Sequence, residues 1–181
     1  MPLHSGGVPV PSTASWSAEE VFRVDHCPQA GGLAICQEVA PGRGKPRFGT
    51  PHSQRQREAI ARDLCDLCAR PLRNRTKVSL SHAQARVGAD GPCVMQVEPL
   101  LHRECALASV EHCPSLKRDI REGRLMVRQV HRYRTQLAIL APESIGEYVP
   151  GYVADPTARI AGHAKVELAA WTGRNEGWLR R

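Results

Sequence analysis

Cys65-Asp-Leu-Cys68 and, 33 residues further on, His102-Arg-Glu-Cys105 are the residues of this chain whose types and spacing could do chemistry. A Cys-x-x-Cys turn presents two thiolates on one face because the backbone folds back with its N–H groups toward the sulfurs. A His-x-x-Cys pair spaced i, i+3 projects both side chains from one side of a helix start. Together they make Cys₃His, a closed tetrahedral zinc set with no position left for a substrate. The dipole of a helix beginning here also favours the thiolate at Cys105.

The remaining cysteines and histidines carry less. His112 and Cys113 lie two to three turns down the same helix, and Cys113 reads as a core-facing residue at its end. Cys93 opens a strand and should point inward. Asp25-His26-Cys27 and Cys36 form a candidate second site across a short hairpin, against a simpler reading as small buried thiols. Seven cysteines is an odd number, so ligation outranks a disulfide framework. The first fifteen residues carry no export signal and no apolar run approaches membrane length, which sets a reducing cytoplasm as the expectation.

The elements that must position the ligands follow from local pattern. "PHSQRQREAIARDLC" reads as a helix with Pro51 near its first turn, and "LCDLCARPL" as a tight turn after it. "TKVSLSHA" and "CVMQVEP" read as two strands of a hairpin, and "LLHRECALASVEHC" as the ligand-bearing helix, ended or restarted at Pro114. Turn, hairpin and helix in that order give a treble-clef-like zinc finger. Around it, "VFRVDHC" and "LAICQEV" read as short strands, "RLMVRQVHRYRTQLAIL" and "KVELAAWT" as further strands, and "PESIGEYVPGY" as a short helix or turn. The fold class is therefore α+β, a treble-clef-like finger embedded in a small β-rich domain.

Residues 1–15, rich in Pro, Gly, Ser and Thr, are expected to be a disordered head. Residues 16–48 supply short strands and a basic linker, "APGRGKPRFGTP", without regular structure. Residues 49–141 form the zinc-binding core, and 142–181 an extension packing on it. Only 4% of residues are aromatic, so a structural metal would compensate for scarce core anchors.

"CDLCARPL", "VEPLLHREC" and "HCPSLKR" resemble small, uncharacterised zinc-finger proteins of actinobacteria and their phages, over roughly residues 49–140. The resemblance implies a zinc site at Cys65, Cys68, His102 and Cys105 and a phage or mobile-element setting. It implies no activity.

The charge is +7, concentrated in blocks. Six Lys/Arg stand against Glu58 alone between Pro41 and Arg62, which includes the basic segment 43–57. Lys117, Arg118, Arg121, Arg124, Arg128, Arg132 and Arg134 crowd the segment 117–134. On a strand, Arg124, Arg128, Arg132 and Arg134 share one parity and would form a basic stripe able to hold phosphates. Nucleic acid is thus one candidate partner. The other is a protein, met by the head or by the tail "GRNEGWLRR" with Trp178 as an exposed anchor. No small-molecule substrate motif is present. An active HNH nuclease, which shares the treble clef, would rest on His82 alone, since Ser81 stands where an acidic metal ligand belongs. The expectation is a non-catalytic interaction or regulatory module.

Overall fold

The structure, a computed structural model, describes residues 2–153 and 155–181. The chain opens with β1 (His4–Ser5) and β2 (Val8–Pro9), joined through Gly6 and Gly7, both at the positive φ that glycine adopts without strain. β3 (Ala14–Trp16) follows. Residues 2–15 are therefore no disordered head: Val10 and Ala14 are buried together with Trp16. Their Gly and Pro residues set turns, and the polar ones bond the Cys65–Cys68 segment, with Ser12 N–H and Oγ both donating to the carbonyl of Asp66 at 2.7 Å.

β4 (Phe22–Cys27) and β5 (Gly32–Gln37) form the expected hairpin. The expected irregular linker contains β6 (Pro46–Pro51), which pairs with β3. Its prolines are tolerated because this two-stranded pair leaves N–H groups unneeded on the outer edge.

Helix α1 (Ser53–Ala61) is capped by His52, whose Nδ1 accepts from Arg55 N–H. Its buried side chains bond backbone rather than one another. Gln56 Nε2 donates to the carbonyls of Val97 and Ala164, and its Oε1 accepts from Ala164 N–H. The fully buried Arg57 donates to the carbonyls of Gly162 and Ile35. Where neighbouring strands diverge, these groups replace missing ladder bonds, which would otherwise cost about 1–3 kcal/mol each.

Then come β7 (Lys77–Ser81), β8 (Arg86–Gly88), β9 (Gly91–Gln96), β10 (Leu101–His102), α2 (Arg103–His112) and α3 (Pro114–Arg121). The chain closes with β11 (Met126–Ile139), α4 (Pro142–Tyr148), β12 (Ala161–Arg174) and α5 (Glu176–Leu179). The mixed α/β, strand-rich class is as expected, but the finger's hairpin is not. β7 pairs with β10 and β11, whereas β9 pairs with β8 and β12. The long β11–β12 ladder lies between β7 and β9, and the sheet curls until Ser79 Oγ on β7 donates to Gln96 Oε1 on β9. The "extension" 142–181 thus contributes a central strand, because β12 pairs with β11 along nearly its whole length. Inside the curl, Val78, Val94, Val166 and Leu168 pack against Leu72, Leu100, Ala106 and Val110. A smaller core of Ile35, Ile145 and Ile160 sits under α4.

Candidate metal centre

α1 ends in Arg62 and Asp63, the latter in the left-handed region at φ 53°, and the chain turns into the Cys65 knuckle. Cys65 N–H donates to the carbonyl of Arg70 and Ala69 N–H to that of Cys65, both at 2.9 Å. This closes a turn that needs Ala69 at φ 56°, a conformation glycine would hold at less cost. Asp66 N–H donates to the carbonyl of Leu100 at 3.0 Å, pinning the knuckle to the residues that lead into α2.

His102 is the N-cap residue of α2, and Cys105 lies in its first turn. The ligand atoms of Cys65, Cys68, His102 and Cys105 all lie within 4.8 Å of one another, and the set could hold a metal ion. His102 Nδ1 is 3.4 Å from Cys68 Sγ and 3.8 Å from Cys105 Sγ. Tetrahedral zinc with its usual bond lengths would set such separations at about 3.5–3.8 Å. The other ring nitrogen, Nε2, lies 3.1 Å from the carbonyl of Pro71. That carbonyl can only accept, so Nε2 carries the proton and the Nδ1 lone pair faces the thiols.

Backbone donors complete the set: His102 N–H reaches Cys65 Sγ at 3.5 Å, and the N–H groups of Leu67 and Cys68 face the same sulfur. Burial raises the Cys65 thiol to about 11 and pushes Cys105 higher still, with the neighbouring thiols adding repulsion. At Cys68 burial is outweighed by bonds from Arg70 N–H and the side chains of Cys65, Cys105 and His102, and the thiol falls to about 7. Three thiols sharing one pocket cannot all ionise alone. A dication placed among them reverses that ordering.

His112 is exposed, and Cys113 is half-buried beside a surface groove rather than core-facing. Cys93 is buried as expected. Cys27 and Cys36 form no second site: Cys36 is opposite Arg23, four residues along the ladder from Cys27, about 13 Å at strand rise. Their neighbours Asp25 and His26 are exposed.

The basic stripe is broken. Bulges between Val130 and Tyr133 shift the strand's parity, and Arg128 is buried with one guanidinium nitrogen on the carbonyl of Ala83. Arg118 and Arg124 pair with Asp119, and Arg134 with Asp90. Lys117, Arg121 and Arg132 remain exposed. In the segment 43–57, Arg47 pairs with Glu20, Arg55 binds the buried Glu19, and Arg57 is enclosed. His82 is on the surface with Nε2 3.2 Å from Asp119 Oδ2. Trp178 is half-buried between the guanidinium groups of Arg103 and Arg174, at 5.6 and 5.3 Å, rather than an exposed anchor. Asp66 and Glu98 line one groove, and in the sequence only the acid inside the Cys-x-x-Cys turn hints at it.

The chain matches no family model, and neither the curated proteins nor the solved structures include one similar to it. Among the described residues no helix is long and apolar enough to cross a membrane. The site itself defines the class: a mixed α/β chain with a Cys₃His cluster able to hold a metal.

Proposed function

We propose that the chain is a zinc-stabilised, non-catalytic interaction module whose partner is a protein. The observation that carries this is the closed donor set. Four ligand atoms converge, and the second nitrogen of His102 is committed to Pro71. Three thiolates and one imidazole suit zinc, and all four tetrahedral positions are filled by the chain. The knuckle and the helix start are the two halves of a treble-clef site, here with the intervening strands spread to either side of one sheet. The motif resemblance to small zinc proteins of actinobacteria and their phages supports the same ligands, and reduced thiols suit a cytoplasmic setting.

A protein partner is favoured over nucleic acid because the basic residues of the segment 117–134 present no continuous stripe. Four of the seven in the segment 117–134 are buried or ion-paired. Metal content of the purified chain tests the reading. One zinc per chain, lost in a Cys65→Ser/Cys105→Ser variant, is expected; absence of metal, or its retention in that variant, overturns it. Duplex DNA should bind weakly, with a slope of log affinity on log salt no steeper than about −5, the number of unpaired cations left in the segments 43–57 and 117–134.

A further inference from the structure

Two cavities of about 190 and 350 Å³ lie between the N-terminal strands and α3. They share Pro11, Phe48, Asp66, Leu80, Glu98 and Leu116, so they are lobes of one groove. Phe48 stands half-exposed at its rim. The walls are largely apolar, with Thr13, His82, Ser109 and His112 also lining them, and Asp66 and Glu98 line both lobes.

Those carboxylates are unusual in this chain. It has 25 Lys and Arg against 18 Asp and Glu, and most acids have taken a cationic partner. Among the described residues, Asp66 and Glu98 have no cation within 4.0 Å, and no other acid lines the groove. Asp66 Oδ1 accepts from Thr13 Oγ1, and Glu98 Oε2 accepts from Ser81 Oγ at 3.3 Å. Each keeps an oxygen for a further donor.

We infer that this groove binds an extended peptide segment of a partner protein, one that presents a lysine or arginine between apolar side chains. The cation would meet Asp66 and Glu98, and the flanking side chains would cover Leu80, Leu116 and Phe48. The inference rests on the reading of the chain as a protein-binding module. Charge complementarity selects this occupant. Phosphates would be repelled by the two carboxylates, and a small amine would leave the apolar walls uncovered. Asp66 sits inside the Cys65–Cys68 turn, so a metal that orders the knuckle also fixes one of the two carboxylates lining the groove.

The test is selection of a random peptide library on the full-length zinc-loaded chain, followed by titration of the selected peptides. Enriched sequences should carry Lys or Arg flanked by apolar residues. Their affinity should fall about tenfold on Glu98→Gln, the loss of one charge-assisted contact, and by a similar factor when the peptide's cation is replaced by glutamine. Glu98 is exposed, so Glu98→Gln should melt as the parent does and hold the same metal. No enrichment, enrichment of peptides lacking a cation, affinity indifferent to Glu98→Gln, or displacement by an oligonucleotide would each overturn the proposal. Selected peptides binding a chain that carries no zinc would sink the zinc reading and leave the groove standing. Zinc without selection would do the reverse.

Discussion

The imidazole of His102 is held between the thiols of Cys68 and Cys105 and the carbonyl of Pro71, 3.1 Å from Nε2. Because Pro71 lies just past the Cys65–Cys68 turn, the knuckle that supplies two thiols also orients the histidine of the opposite half-site. The ring should therefore stay in one tautomer, with the proton on Nε2 and the metal on Nδ1. Long-range nitrogen–proton spectra of the zinc-loaded chain should show this directly. His102→Cys should keep the metal, whereas His102→Ala should weaken it by at least the 10- to 100-fold typical of losing a supporting partner.

Cys65 is fully buried and Cys105 nearly so, within the same core as Leu72 and Val110. Losing a structural zinc forfeits apparent binding energy of about 10–16 kcal/mol, more than a typical domain's whole stability. Cys65→Ser and Cys105→Ser should consequently yield insoluble or molten protein, visible as loss of a cooperative melting transition. Cys27→Ser, in a small peripheral cluster with Ala34 and Ala161, should cost about 1–2 kcal/mol and melt cooperatively. A Cys65→Ser chain with the parent's melting curve would refute the structural role.

Zinc uptake should release protons. With Cys65 raised to about 11 and Cys105 above it, both thiols are protonated near neutrality without metal, while Cys68 at about 7 is half-ionised. Between two and three protons must leave, so apparent zinc affinity should drop about a hundredfold or more for each pH unit lowered near pH 7. The sign inverts for the metal-free chain. A folded-state thiol pKa above the ordinary 9 gives stability present below pH 9 and lost as pH rises through 11. Competition titrations with a chelator at several pH values, beside melting curves of the chelated chain, check both halves.

The ligands could be read from the sequence because their chemistry is local: a Cys-x-x-Cys turn and a His-x-x-Cys helix start each declare themselves within four residues. The strands read in "TKVSLSHA" and "CVMQVEP" also form, as Lys77–Ser81 and Gly91–Gln96. Their partners could not be read, since period-two patterning fixes a face and not a neighbour. β12 is the clearest case, a strand expected in an extension packed on the core that instead lies between β11 and β9. The head misled for a different reason. Its composition suits disorder, yet Ser12 and Thr13 find acceptors on Asp66 some fifty residues away. By pattern Arg57 and Arg128 belong to basic surface segments, and their burial depends on carbonyls that only the tertiary structure supplies.

Asp66 should be a net cost to the fold at neutral pH. Burial raises its acid to about 6, the bond from Thr13 opposes this, and the neighbouring Glu98 charge reinforces it. The folded state thus favours the protonated acid, and stability present below the ordinary value of 3.8 is lost as pH climbs toward 6. Asp66→Asn, which can still accept from Thr13, should stabilise by about 1–2 kcal/mol at pH 7.5, a figure discounted because the side chain is partly open to the groove, and by nothing at pH 3. Denaturant melts at both values decide it. Equal gains at the two pH values would mean that the effect is not electrostatic.

Trp178 should act on stability rather than on partner capture. Its ring lies between the guanidinium groups of Arg103 and Arg174, and α5 holds against α2 through Arg180 and Glu111. Arg103 directly follows His102, so the tail braces the helix start that carries half the candidate metal site. Trp178→Ala removes packing from a half-buried ring together with two cation–π contacts, about 2–3 kcal/mol in all. Chemical denaturation should register that loss with zinc still bound at one per chain. A Trp178→Ala chain of parental stability that fails to bind groove-selected peptides would show the opposite, that the indole faces the partner after all.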